Sequence, residues 1–178
     1  MKMYLCVMLL FFIGGCSTSK QANSLDIQSQ NEYALDGVEL DENIESVKKR
    51  LKNGFTIQSY RDISDLKECE NAKNIIINNY LTNIDTDNNG VITSINTVNP
   101  KVIDANGVSV GQDEKVIKNL VPTAKSDKIF SGDDSLDFYE YKIQMKNKKG
   151  YYEYIVNNDK KIDSITISSN RYIACFED

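Results

Sequence analysis

The sequence predicts an α+β protein of two tandem repeats, each a short helix followed by a three-stranded antiparallel β-meander. Residues 37–51 can be laid on residues 107–120 with one gap, matching Gly, Val, an aliphatic residue, Val47 with Val116, and Leu51 with Leu120. Farther on, residues 89–95 match residues 159–165, and both anchors share an offset of 70 residues. Self-similarity at a fixed period marks repeated units. After each helical pattern come runs with apolar residues at every second position, as half-buried strands require.

The 178 residues suit one domain, or two small units packed as one, and 40% hydrophobic residues suffice for a core. The units are expected over residues 37–98 and 99–178. In the first, Asp41 or Asn43 can cap a helix whose apolar stripe is Ile44, Val47 and Leu51. Its strands are expected over residues 66–77, 80–86 and 91–97, and Asn99-Pro100 joins the units. In the second, Gln112-Asp113 precedes a helix bearing Val116, Ile117 and Leu120, with Pro122 just beyond as a stop. Residues 136–145 alternate through Leu136 and Phe138, slip in phase near Tyr139, then continue with Tyr141, Ile143 and Met145. Residues 151–156 and 162–167 complete that meander around the turn at 157–161.

The first sixteen residues read as an address. Lys2 precedes an apolar run over residues 3–13, which has the length of a signal-peptide core and is too short to span a bilayer. Ile13-Gly14-Gly15-Cys16 resembles the lipobox of bacterial lipoproteins, with Ile13 where that family more often has Leu and Gly14 where it has Ala or Ser. The resemblance implies removal of residues 1–15 and acylation of Cys16, with palmitate-like chains holding the protein on a lipid bilayer. Each buried CH₂ contributes about 0.8 kcal/mol to such an anchor. Ser17 follows in place of Asp, which by analogy with lipoprotein sorting implies the periplasmic face of the outer membrane. The alternative is an ordinary secretory signal with a chance cysteine. Residues 16–36, rich in Ser, Gln and Asn, read as a flexible tether.

Four cysteines are present. Cys6 leaves with the signal and Cys16 is the lipidated residue. Cys69 and Cys175 remain, an even pair in an oxidising compartment, and are expected to form a disulfide. Closing so long a loop stabilises by about 4–5 kcal/mol on the chain-entropy model. The alternative is a redox thiol, although neither stands in a C-x-x-C motif.

Composition excludes much chemistry. There is no His, which removes His-based triads and His metal ligands. A formal net charge of −5 without a basic cluster argues against nucleic acid. Ser131-Gly132-Asp133-Asp134 is an acidic turn that repels phosphate, and Asp133, Asp134 and Asp137 read as solvated acids rather than a catalytic pair. Lys146, Lys148 and Lys149 read as a solvated hairpin tip. No enzyme activity and no cofactor are expected. Asp85, Asp87, Asn89 and Gly90 match part of a calcium-binding EF-hand loop, but the twelfth position is Asn96, and residues 87–90 also form a strong hairpin-turn sequence. The turn is the leading reading; a weak calcium loop at Asp85, Asp87 and Asn89 is the alternative.

Tyr139, Tyr141, Tyr151, Tyr152 and Tyr154 fall on two adjacent expected strands, so alternate ones face opposite sides. One set packs on a helix. The other is either a partner-binding aromatic row or cross-strand packing on a half-solvated sheet.

The Gly-Val-x-Val-Gly pattern at residues 107–111, followed by a short helix and a meander, is similar to the small BamE-type envelope domains and the β-lactamase-inhibitor-protein superfold. The first unit departs from it, with Asp41 where the second has Gly111. The resemblance implies a non-catalytic module that binds another envelope protein. The alternative it leaves is an inhibitor or immunity-like protein that occludes a secreted or periplasmic hydrolase.

Overall fold

A computed structural model describes residues 27–28, 31–51, 54–59, 67–79, 81–129, 137–172 and 175. Cys16 and the lipobox lie outside the described residues, as do Asp133 and Asp134. The chain enters through β1 (Ile27–Gln28), β2 (Ala34–Leu35) and β3 (Val38–Glu39), followed by helix α1 (Ile44–Leu51). Four strands come next: β4 (Phe55–Ser59), β5 (Lys73–Ile77), β6 (Thr82–Thr86) and β7 (Ile92–Thr97). Then come β8 (Val102–Ile103), helix α2 (Lys115–Leu120), β9 (Ser126–Ile129), β10 (Phe138–Gln144), β11 (Gly150–Val156) and β12 (Ile162–Ser169).

This corrects the expected fold. The protein is mostly β, and both halves of the chain feed one eight-stranded antiparallel sheet, in the order β4-β5-β6-β7-β12-β11-β10-β9. The two helices hold only eight and six residues. A fourth strand opens each half of the sheet. These edge strands escape a periodicity argument because all of β4 after Phe55, and β9 up to Lys128, is exposed and lacks alternation. Phe138 and Tyr139 also exchange roles: Tyr139 shares the face of Tyr141 and Ile143.

The spacing of seventy residues recurs in backbone detail. Gly37 and Gly107 both have positive φ, as do Asp41 and Gly111. Isolated bridges join Asn43 to Val91 and Asp113 to Lys161. Asp41 N–H donates to the Ile92 carbonyl at 2.9 Å, and Gly111 N–H to the Ile162 carbonyl at 2.8 Å. The bulges at Asp85/Thr86 and Ile155/Val156 keep the same spacing. No gap intervenes, so Val47 corresponds to Ile117 rather than Val116, and both are buried. Asp41 accepts the left-handed conformation because its short polar side chain is among the few that tolerate it.

The core lies between the helices and one face of the sheet. Two rows of cross-strand partners form that face. One runs Phe55, Ile77, Thr82, Thr97, Ile165, Tyr154 and Tyr141; the other runs Ile75, Ile84, Ile95, Ile167, Tyr152 and Ile143. Ile44, Val47 and Ile117 from the helices pack on them, together with Leu35, Val38, Val102 and Val108. Part of the segment expected as tether over residues 16–36 belongs to the folded body. Leu35 is fully buried, Tyr33 packs on the core, and β1 pairs with β8. No described helix is long and apolar enough to cross a membrane.

Candidate functional site

Strand alternation sends every second side chain to the other side of the sheet, where no described helix packs. Its central rows are amides, hydroxyls and single charges. Asn83, Asn96, Thr166, Glu153 and Lys142 form one row of cross-strand partners; Asn74, Asp85, Ser94, Ser168, Tyr151 and Gln144 form the next. At the centre, Asn96 Nδ2 donates to Thr166 Oγ1 at 2.8 Å. Toward β10, the Lys142 ammonium pairs with Glu153 at 2.6 Å and sits 5.0 Å from the centre of the Tyr151 ring. The Glu153 hydrogen bond holds the Lys142 pKa above its ordinary value. Partial burial, and then the nearby Glu153 charge, push the Glu140 carboxyl upward.

Asn74 Nδ2 donates to Asp85 Oδ1 at 2.8 Å. Tyr172, beyond the end of β12, reaches the same carboxylate. Burial first, and then the charge of Asp85, push its phenol up to about 12. Three residues on, Cys175 forms the disulfide with Cys69, whose residue is fully buried beside Ala72. Tyr172 and Cys175 are thereby fastened beside Asp85 of β6 and Cys69, just before β5.

The five tyrosines do not share an exposed face. Tyr141, Tyr152 and Tyr154 are 2%, 3% and 0% exposed and belong to the core, so these three candidate partner-binding residues are the set that packs beneath the helices. The physical reason is that the helices cover the face onto which their alternation directs them. Each of these three phenols has a partner: Tyr141 donates to Glu114 Oε2 at 2.9 Å and Tyr152 to the Glu32 carbonyl at 3.1 Å. Tyr154 donates to Asp104 Oδ2 at 2.6 Å. Tyr139 is half-buried on the same side, with the Lys160 ammonium 4.1 Å from its ring centre. Only Tyr151 of the five lies on the open face.

Asp104 was not singled out from sequence. It is fully buried, and Oδ1 accepts from Asn106 N–H at 2.8 Å and from Val108 N–H at 2.9 Å. Desolvation holds its pKa above the ordinary value despite these bonds. Asp-x-Asn-Gly at residues 104–107 is a turn signature, but its burial depends on Tyr154, fifty residues away.

Asp85, Asp87 and Asn89 do not converge on one point. Asp85 bonds across the sheet, while Asp87 Oδ1 accepts from Asn89 N–H at 2.8 Å and Val91 N–H at 3.0 Å, closing a hairpin turn. Among the described residues no group of three or more His, Cys, Asp or Glu is placed to hold a metal ion. Comparison of the chain with protein families, curated proteins and solved structures returns no match.

Proposed function

We propose that the chain is a lipid-anchored, non-catalytic protein-binding module of the bacterial cell envelope, held on the periplasmic face of the outer membrane by acylated Cys16. Its contact surface is the open face of the sheet, with Asn83, Asn96, Thr166, Tyr151 and Glu153 in the middle, in place of the expected tyrosine row. The observation that carries this reading is the polar side of the eight-stranded sheet, on which neither α1 nor α2 packs: Ser94 and Ser168 are covered there, while Asn83, Asn96, Thr166, Tyr151 and Glu153 are partly exposed. At 4.8 Å between strands it is about 34 Å wide, and its area is of the order of the ~800 Å² each partner of a stable complex buries. Its side chains can exchange hydrogen bonds and surround one aromatic ring, a composition suited to a polar protein surface.

The Cys69–Cys175 bond supports export, because such bonds persist in oxidising compartments. Membrane fractionation with intact-mass measurement of the mature chain tests the anchor. The expected chain begins at Cys16, carries acyl chains and sediments with the outer membrane, whereas Cys16→Ser releases it. A mature chain lacking acyl groups overturns the anchor. Partner capture by crosslinking from Asn83 and Thr166 tests the contact surface.

A further inference from the structure

We propose that the hairpin tip joining β10 to β11 docks on the anionic lipid of the membrane that carries Cys16. This rests on the anchoring reading above. Lys146, Lys148 and Lys149 project from the tip and are all exposed. Among the described residues none of the three has an ion-pair partner, whereas Lys48, Lys118, Lys128 and Lys142 each pair with a carboxylate. The turn that presents them is fixed. Asn170 donates from Nδ2 to the Lys148 carbonyl at 2.8 Å and from N–H to the Lys149 carbonyl at 3.0 Å. Asn147 Oδ1 accepts from Lys149 N–H at 2.9 Å. Beside the lysines, Leu120 and Met145 line a partly enclosed groove with Lys146, and Leu120 is 44% exposed. Cations flanking an accessible apolar groove suit the boundary between headgroups and acyl chains.

Chain connectivity brings this tip to the membrane. Asn147 Nδ2 donates to Glu32 Oε2 at 3.1 Å, so the entering chain touches the tip. Ile27 lies five residues before Glu32, and five residues span at most about 17 Å. Residues 17–26 separate Cys16 from Ile27, and a chain of that length reaches at most about 36 Å. The tip is therefore within covalent reach of the surface.

Electrostatics then selects the orientation. The chain is acidic, with a formal charge of −5, so a negative surface repels most of it and attracts this basic pole. Among the described residues, Glu32 is the acid held at the tip, through its bond from Asn147. Three lysines against Glu32 leave two net charges. Each favours an anionic surface about fivefold, giving a preference of about twenty-fivefold for tip-down over other orientations. With the tip down, β10 and β11 rise from the bilayer and the open face is presented sideways to a partner.

The test uses the full lipidated chain on two kinds of vesicle, pure phosphatidylcholine and phosphatidylcholine with 30% phosphatidylglycerol. A membrane-impermeant amine reagent labels lysines, and mass spectrometry reads each site. The expected result is at least tenfold slower labelling of Lys146, Lys148 and Lys149 on the anionic vesicles, with Lys160 and Lys161 unchanged. The protection vanishes in 1 M salt, where screening acts within about 3 Å. A triple variant, Lys146→Gln, Lys148→Asn and Lys149→Gln, is expected to melt like the parent while its other tip amides lose the difference in hydrogen exchange between the vesicles. Equal labelling of a lipidated chain on both vesicles, or protection spread evenly over all lysines, overturns the docking. Intact mass reads the anchor separately: an unmodified Cys16 overturns the anchoring reading itself.

Discussion

Asn96 and Thr166 are direct cross-strand partners at the junction of β7 and β12, seventy residues apart, joined by a 2.8 Å hydrogen bond on the open face. The two halves of the sheet meet only at this strand pair. On its other side, Ile95 faces Ile167 and Thr97 faces Ile165, which seal the core at the same seam. One junction thus supplies both the continuity of the core and the centre of the candidate contact surface.

Tyr151 and Tyr154 separate contact from stability. Tyr154→Ala empties a fully buried site and strands Asp104, so a loss of about 3–5 kcal/mol is expected in chemical denaturation. Tyr151→Ala removes a half-exposed ring and should change stability by less than about 1 kcal/mol while weakening partner capture. Equal loss of stability in both variants would contradict the assigned faces.

Asp104 makes stability depend on pH in an unusual direction. Burial raises its folded pKa above the ordinary 3.8, so across that window the folded state holds a proton that the unfolded chain has released. Stability from this group therefore falls as pH rises from about 4 through the folded pKa. Glu42 is opposite in sign: its hydrogen bond from Arg50 lowers the pKa, and its contribution is lost as pH falls through that lowered value. Melting curves of the parent and Asp104→Asn should differ in slope over the Asp104 window, with the variant lacking the decline. Parallel curves would count against a strained buried carboxylate.

The Cys69–Cys175 bond closes a separation of 106 residues. Replacing Cys175 with Ser should cost about 3–5 kcal/mol. Thermal melts with and without reductant provide the check. Reductant should lower the parent's Tm and leave the variant unmoved.

Gly150 has no room for a side chain. A Cβ there would fall within contact distance of the Ser168 carbonyl oxygen and 3.2 Å from Met145 Sδ. Because the first obstacle is backbone in the neighbouring strand, Gly150→Ala should cost about 1–3 kcal/mol in urea denaturation. An unchanged midpoint would show that β11 and β12 can separate there without penalty.

The residues explain which features were legible in advance. The strand expected over residues 91–97 coincides with β7, and counting cysteines points to the disulfide pair. The Ser, Gln and Asn around Leu35 give its segment the composition of a tether, yet a tight β2–β3 turn carries it into the core. Tyrosine alternation gave the relative facing of Tyr151 and Tyr152 but not which side the helices cover. That choice depends on contacts far apart in sequence, such as Tyr141 with Glu114 and Tyr154 with Asp104. The open polar face was missed because Asn and Ser within strands carry little periodic signal by themselves.

The most direct test is photo-crosslinking in cells from single sites on the two sides of the sheet. A crosslinking side chain at Asn83 or Thr166 samples the open face, and one at Lys49 samples the helical side. The predicted result is one dominant envelope-protein adduct from Asn83 and Thr166 that is absent from Lys49 and lost in Tyr151→Ala. An adduct with a soluble hydrolase from the same sites would redirect the function to inhibition of that enzyme. Equal adduct yields from Asn83, Thr166 and Lys49 would contradict the open face as the contact surface.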